Sequence, residues 1–281
     1  MTRHTGEQAE KIFMTWPSHA LTVRSIKDSR RDLLIAAVVI GCIGLGLFLD
    51  SNSSLTGQKT LGLCAWSILL ALLVAEDNSV RAQVAVAVMF TTVGEYFASP
   101  FLGAYIYRFD NVPAYVPPGH GMVYLAALAL GRSPLLHLYR WWITGVALLL
   151  GALWSLWGVT LADRADAVGA LLFCIFFGFA LFGRSPLLYV AAFFITSYLE
   201  LLGTWLGTWT WSVRDPALGL SQANPPSGIA AWYCLVDAVA LGGGPLLAAG
   251  LASLGRALGS SRLVESWGVL ASDAREVANK D

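Results

Sequence analysis

The chain has 281 residues, with 18 Lys or Arg balancing 18 Asp or Glu, 13% charged residues and 56% hydrophobic ones. Soluble domains carry roughly 25% charged and about 45–50% apolar residues, so a water-soluble globule is excluded and the composition defines an all-α polytopic membrane bundle. Zero net charge without a basic run excludes nucleic acid as a partner.

Residues 1–32 form a polar segment without an n-region followed by an apolar core, so no cleavable signal peptide is visible. A span needs about 20 mostly apolar residues. Eight are expected, near 33–49, 60–75, 82–107, 121–138, 142–161, 167–182, 185–207 and 228–257, with a polar tail over 259–281. GRSP at 131–134 interrupts the fourth, and GGGP at 242–245 is expected to kink or break the eighth. Basic residues sort by side. Arg3, Lys11, Arg24, Lys27, Arg30, Arg31, Arg81, Arg140, Arg184, Arg256, Arg262, Arg275 and Lys280 fall on one, against Lys59, Arg108, Arg164 and Arg214 on the other. The positive-inside rule then places both termini in the cytoplasm, in a bacterial-type plasma membrane (the cell inner membrane). Cys42, Cys64, Cys174 and Cys234 lie in apolar runs and read as small buried hydrophobes.

A repeat of about 105 residues is visible in the order of several short matches. MFTTVGE (89–95) aligns with FITSYLE (194–200), placing Glu95 on Glu200. GAYIY (103–107) answers GTWTW (207–211), and the Pro117–Pro118 loop answers Pro225–Pro226. Residues 33–139 and 140–258 would be tandem four-helix repeats of parallel topology. The alternative is convergent use of Gly, Pro and aromatics at helix ends. GRSPLL occurs identically at 131–136 and 183–188, an offset of 52 that the longer repeat does not explain.

Glu95, Glu200 and Asp237 are the acids these spans bury. A charge at mid-bilayer costs about 2.5–3.5 kcal/mol even on insertion scales, so such residues face the bundle interior. They form a catalytic set with His120 of PPGHG, the side chain suited to proton transfer near neutrality. The competing reading is that each acid merely locks helices through Ser, Thr or Tyr neighbours. Arg132, the one base at membrane depth, is expected near the inner face, where it can snorkel. Tyr105, Tyr107, Tyr124, Trp209, Trp211, Trp232 and Tyr233 crowd the outer ends of spans three, four, seven and eight. They read either as an interfacial belt or as a substrate-binding wall suited to a polyene or isoprenoid, able to stabilise a carbocation. No cofactor and no metal is called for by the spacing of these residues, and the oligomeric state is open.

EYFASPFLGAYIYRFDNVPAYVP (95–117) and ELLGTWLGTWTW (200–211) resemble integral-membrane carotenoid-biosynthesis proteins of the carotenoid hydratase type. There a membrane Glu precedes a Gly-aromatic-x-aromatic stretch and a VP-containing loop. This chain carries the pattern twice and adds PPGHG. The resemblance implies acid-initiated chemistry on an isoprenoid double bond, of hydratase, cyclase or isomerase kind, with Glu95 and Glu200 as the matching acids. Two other classes stay open: a small proton-coupled transporter or lipid carrier, and a scaffold subunit of a membrane complex.

Overall fold

The computed structural model describes residues 26–259 and Trp267. The polar segment before residue 26 and the tail beyond 259, with Arg3, Lys11, Arg24, Arg262, Arg275 and Lys280, otherwise lie outside the described residues. The described chain is helical apart from two three-residue strands. In order it forms α1 (Ile26–Ser51), α2 (Leu55–Leu73), α3 (Asn78–Tyr96), a π-helical turn (Phe97–Phe101), β1 (Tyr105–Tyr107) and α4 (Val116–Gly131). Then come α5 (Pro134–Leu138), α6 (Arg140–Thr160), α7 (Ala167–Phe182), α8 (Pro186–Trp205), β2 (Trp209–Trp211) and α9 (Ala231–Ala257).

Six of these helices (α1, α2, α3, α6, α8 and α9) are long and apolar enough to cross a membrane. Helices α4 and α7 have 16 residues each, about 24 Å at 1.5 Å per residue and short of a ~30 Å hydrocarbon core. The outer surface suits lipid: Leu63, Trp142 and Phe182 are 71%, 78% and 81% exposed, an apolar display that water-soluble monomers avoid.

Local chemistry sets the helix boundaries. Ser54, Asp77 and Asp166 cap α2, α3 and α7 by accepting from Gly57, Val80 and Gly169 amides. Proline opens α4, α5 and α8 at the first turn, where its missing N–H costs nothing. Both GRSPLL copies therefore do one job: each ends a connection and starts a helix at its Pro. Three expected boundaries move. The third helix ends at Tyr96 because Pro100 sits in the π turn, so residues 102–107 leave the span. The fourth begins at Val116, which places His120 within a helix. The eighth continues unbroken through Pro245. There the glycines let α9 lie close on α3, with Gly243 beside Val86 and Gly244 beside Gln83. The broken helix on which a transport reading leaned is not formed.

Helix α4, buried almost all round, and α8 form the centre, and α3 lies along α9. Two polar clusters close the bundle at opposite ends. At one end Arg132, just past α4, reaches Asp32 of α1 (Nη2–Oδ1 2.6 Å) and Glu76 just after α2 (Nη2–Oε1 2.8 Å, Nη1–Oε2 3.0 Å). Arg31 also binds Glu76 at 2.8 Å. At the other end Asp50 accepts from Tyr115 (3.0 Å) and Gln58 (3.1 Å), while Arg108 donates to the backbone of Asp50 and Ser53. These are called the arginine end and the strand end. Helices α1, α2 and α4 each run from one cluster to the other. The NPPSG loop wedges in at the strand end. Gly228 packs so closely on the backbone of Gly169–Phe173 that a Cβ there would overlap Leu172 and Phe173 main-chain atoms. Gly228→Ala is expected to cost about 1–3 kcal/mol, the usual overpacking penalty, read as a lowered Tm in detergent.

Candidate acid–base site

Glu95 ends α3 at the strand end. The π turn and Gly103, at φ +72°, reverse the chain so that β1 runs back over the carboxylate. Strand alternation then puts Tyr105 and Tyr107 inward and Ile106 outward. Both phenols donate to Glu95 Oε2 at 2.7 Å. A similar turn and strand hold Glu200. Gly207, at φ +69°, turns the chain into β2, with Trp209 and Trp211 inward and Thr210 between them. Both indole N–H groups donate to Glu200 Oε2 at 3.0 Å.

The two strands pair antiparallel, Tyr105 opposite Trp211 and Tyr107 opposite Trp209. Four aromatic rings therefore share one face of a short ribbon, their centroids 4.6 Å and 6.0 Å apart across the pairs, within the range of favourable aromatic contact. Burial, and then the charge of Glu95, raise the Tyr105 and Tyr107 phenols above their ordinary range. Both therefore remain O–H donors at physiological pH.

His120 completes the first half. Its Nε2 lies 2.7 Å from Glu95 Oε1 and its Nδ1 2.8 Å from the Tyr233 hydroxyl, in the first turn of α9. With Glu95 ionised, Nε2–H donates to it, and Tyr233 donates to Nδ1 when the imidazole is neutral. Glu95 thus takes three donors, a set that favours the carboxylate. Glu200 is bonded through Oε2 alone among the described residues. It stands near enough to Glu95 and His120 for electrostatic interaction. The His120 and Glu95 side chains are 22% and 11% exposed, so the pair is reachable at the bundle surface.

The remaining sequence candidates lie elsewhere. Asp237, 1% exposed, takes no bond from this group. Its Oδ1 accepts from Tyr124 and its Oδ2 from Tyr189, both at 3.0 Å. Tyr124 therefore belongs to Asp237 and not to the ribbon. Trp232 is half exposed, its neighbour Tyr233 alone turning inward. Arg132 is 4% exposed, ion-paired rather than snorkelling. Its partners Asp32 and Glu76, like the buried Asp50 and the buried cap Asp166, stand at the ends of apolar runs, where the sequence alone gives no sign of their burial. Among the described residues no three His, Cys, Asp or Glu side chains come together as a metal-binding group.

The architecture is thus an all-helical bundle with spanning helices and two carboxylates beneath an aromatic ribbon. Comparison with family models, with curated protein sequences and with solved structures finds no match in any of the three.

Proposed function

We propose that the chain is an integral membrane enzyme that adds a proton and then water to a double bond of an isoprenoid lipid, at the strand end of the bundle. The observation that carries this reading is the pair of unlike carboxylates: Glu95 held by His120, Tyr105 and Tyr107, and Glu200 held by two indoles on one oxygen. Unequal surroundings separate an acid from a base in two neighbouring carboxyls. Glu200, with Oε1 left to carry a proton, protonates the alkene carbon. The ribbon rings face the resulting cation. His120, oriented by Glu95, removes a proton from the water that attacks. That proton returns to Glu200, so atoms and charge balance over the cycle.

On this reading α4 and α7 also traverse the bilayer, shortened where their ends meet buried polar clusters, giving eight spans. The matched β1 and β2 devices support tandem duplication of residues 33–139 and 140–258. The arginine end faces the cytoplasm, with both termini, in a plasma membrane of bacterial type. The likeness to carotenoid hydratases points to an acyclic polyene as substrate.

The test is expression in a bacterium that accumulates acyclic polyenes. A product heavier by one water is expected in extracts of cells carrying the chain and absent without it. Unchanged polyene, with folded protein present in the membrane, would sink the proposal. His120→Gln is expected to lower product formation about 10²–10³-fold, in line with loss of a general base, as measured in membranes matched for protein content.

A further inference from the structure

A second titratable cluster lies one helical turn from the acid–base pair and is not used by it. Tyr124 follows His120 by four residues on α4, and Asp237 follows Tyr233 by four on α9. Residues so spaced are neighbours on a helix face, about 5–6 Å apart at Cβ. His120–Tyr233 and Tyr124–Asp237 are consequently successive rungs across the α4–α9 contact. The lower rung continues to Tyr189 of α8, whose hydroxyl donates to Asp237 Oδ2 at 3.0 Å. Tyr124, Tyr189 and Asp237 are each 1% exposed or less.

Tyr189 also lines a cavity of about 220 Å³ between α7, α8 and α9, bounded by Phe179, Arg184, Ala238 and Leu241. Arg184 belongs to the α7–α8 connection and is exposed. The cavity thus communicates with the arginine end of the bundle. Buried ionisable groups in membrane bundles serve as proton relays when a polar route reaches them. Here the route is the cavity, then Tyr189, Asp237 and Tyr124, then the His120–Tyr233 rung.

We propose that Asp237 is a proton-exchange site fed through this cavity from the arginine end, and that it passes protons to and from the Glu95–His120 pair. The coupling to that pair rests on the acid–base function proposed above; the port itself does not. The groups facing Asp237 are Tyr124 from α4, Tyr189 from α8, the Ser185 hydroxyl just before α8 and Cys234 on its own helix. From α3 comes the uncharged Gln83, 3.4 Å from the Tyr124 hydroxyl. The nearest cation on the route is Arg184, at the mouth.

The experiment uses the full chain in lipid nanodiscs. Dicyclohexylcarbodiimide, an apolar reagent that adds to protonated carboxyls, needs no substrate. It is expected to modify Asp237. The rate should fall at least tenfold in Ala238→Phe, which adds a ring at the cavity wall, and stay within twofold in Glu95→Gln. No modification of Asp237, or an equal rate in Ala238→Phe, overturns the port. Coupling is read from hydration: Asp237→Asn, which keeps the shape and one acceptor oxygen while the second tyrosine turns to accept from the new NH₂, should lower turnover at least tenfold at unchanged KM, and added azide should restore it. Wild-type turnover, or a loss that azide does not rescue, overturns the relay. If the wild-type chain hydrates no polyene, the proposed function and the coupling fall together, while the carbodiimide rates still decide the port.

Discussion

Glu200→Gln is expected to lower polyene hydration by about 10²–10⁴-fold, the range for loss of a positioned general acid, while expression and Tm stay near wild type. The substitution is nearly isosteric. The amide oxygen can still accept both indole N–H bonds that reach Glu200 Oε2 at 3.0 Å, so no buried donor is orphaned. What disappears is the ionisable proton on the other oxygen. Glu95→Gln tests the base half and differs in kind. Its amide oxygen can keep the Tyr105 and Tyr107 hydroxyls, but its NH₂ now donates to His120 Nε2. The imidazole must then carry its proton on Nδ1 and donate to Tyr233, so Nδ1, the nitrogen left to accept a proton in the wild-type tautomer, no longer can. A loss of similar size is expected, again without loss of fold. Full turnover in both single variants would contradict the assignment of roles, whereas a large loss in Glu95→Gln alone would move the acid onto the Glu95–His120 pair.

The physics that made part of this site visible in the sequence is the cost of burying charge. Glu95, Glu200 and Asp237 stand in long apolar runs, where an acid without a task is expensive. Glu95 and Glu200 each lie beneath one strand of the ribbon, but only Glu95 meets His120. The ribbon was not foreseen, because a three-residue strand is too short for a periodic signal. The alternation was nevertheless present in YIY and WTW, each following a glycine that takes positive φ. Asp237 was grouped with the glutamates on depth alone. Depth does not say which side chains an acid meets, and Asp237 meets Tyr124 and Tyr189, one helical turn from the Glu95–His120 pair.

The positions of the helices were legible from their apolar runs, and their ends were not. Pro117 and Pro118 read as a loop, yet proline is compatible with a first helical turn; Pro100 read as part of a span, yet it ends α3. The glycines before Pro245 read as a break. In the fold they are the surface that lets α3 approach, and packing against a long neighbour offsets the lost hydrogen bond. Arg132 shows the largest gap. Its acidic partners are 100 and 56 residues away in sequence, in segments (RRD and AED) that look like ordinary solvated span ends.

That ion-paired cluster gives the largest expected stability change. Arg132→Met should destabilise the bundle by about 3–5 kcal/mol, the usual cost of removing one partner from a buried charge network, seen as a lower Tm in detergent and less folded protein in membranes. The direction follows from what remains. Asp32 is fully buried and Glu76 3% exposed, and the part-exposed Arg31 still pairs with Glu76. Two buried carboxylates would lose the guanidinium that bonds both. The cost therefore comes from the survivors and not from the strength of the lost bonds, which makes a specific double substitution informative. Adding Asp32→Asn to Arg132→Met should recover a substantial part of the loss by removing one buried charge. If the double variant is no more stable than the single one, the effect of Arg132 lies in packing at the α4 terminus. Arg132→Lys retains the charge but not the bidentate grip on Glu76 or the second bond to Asp32, and its Tm should fall between the two. Because the cluster lies at the opposite end of the bundle from Glu95, hydration per folded Arg132→Lys molecule should stay close to wild type.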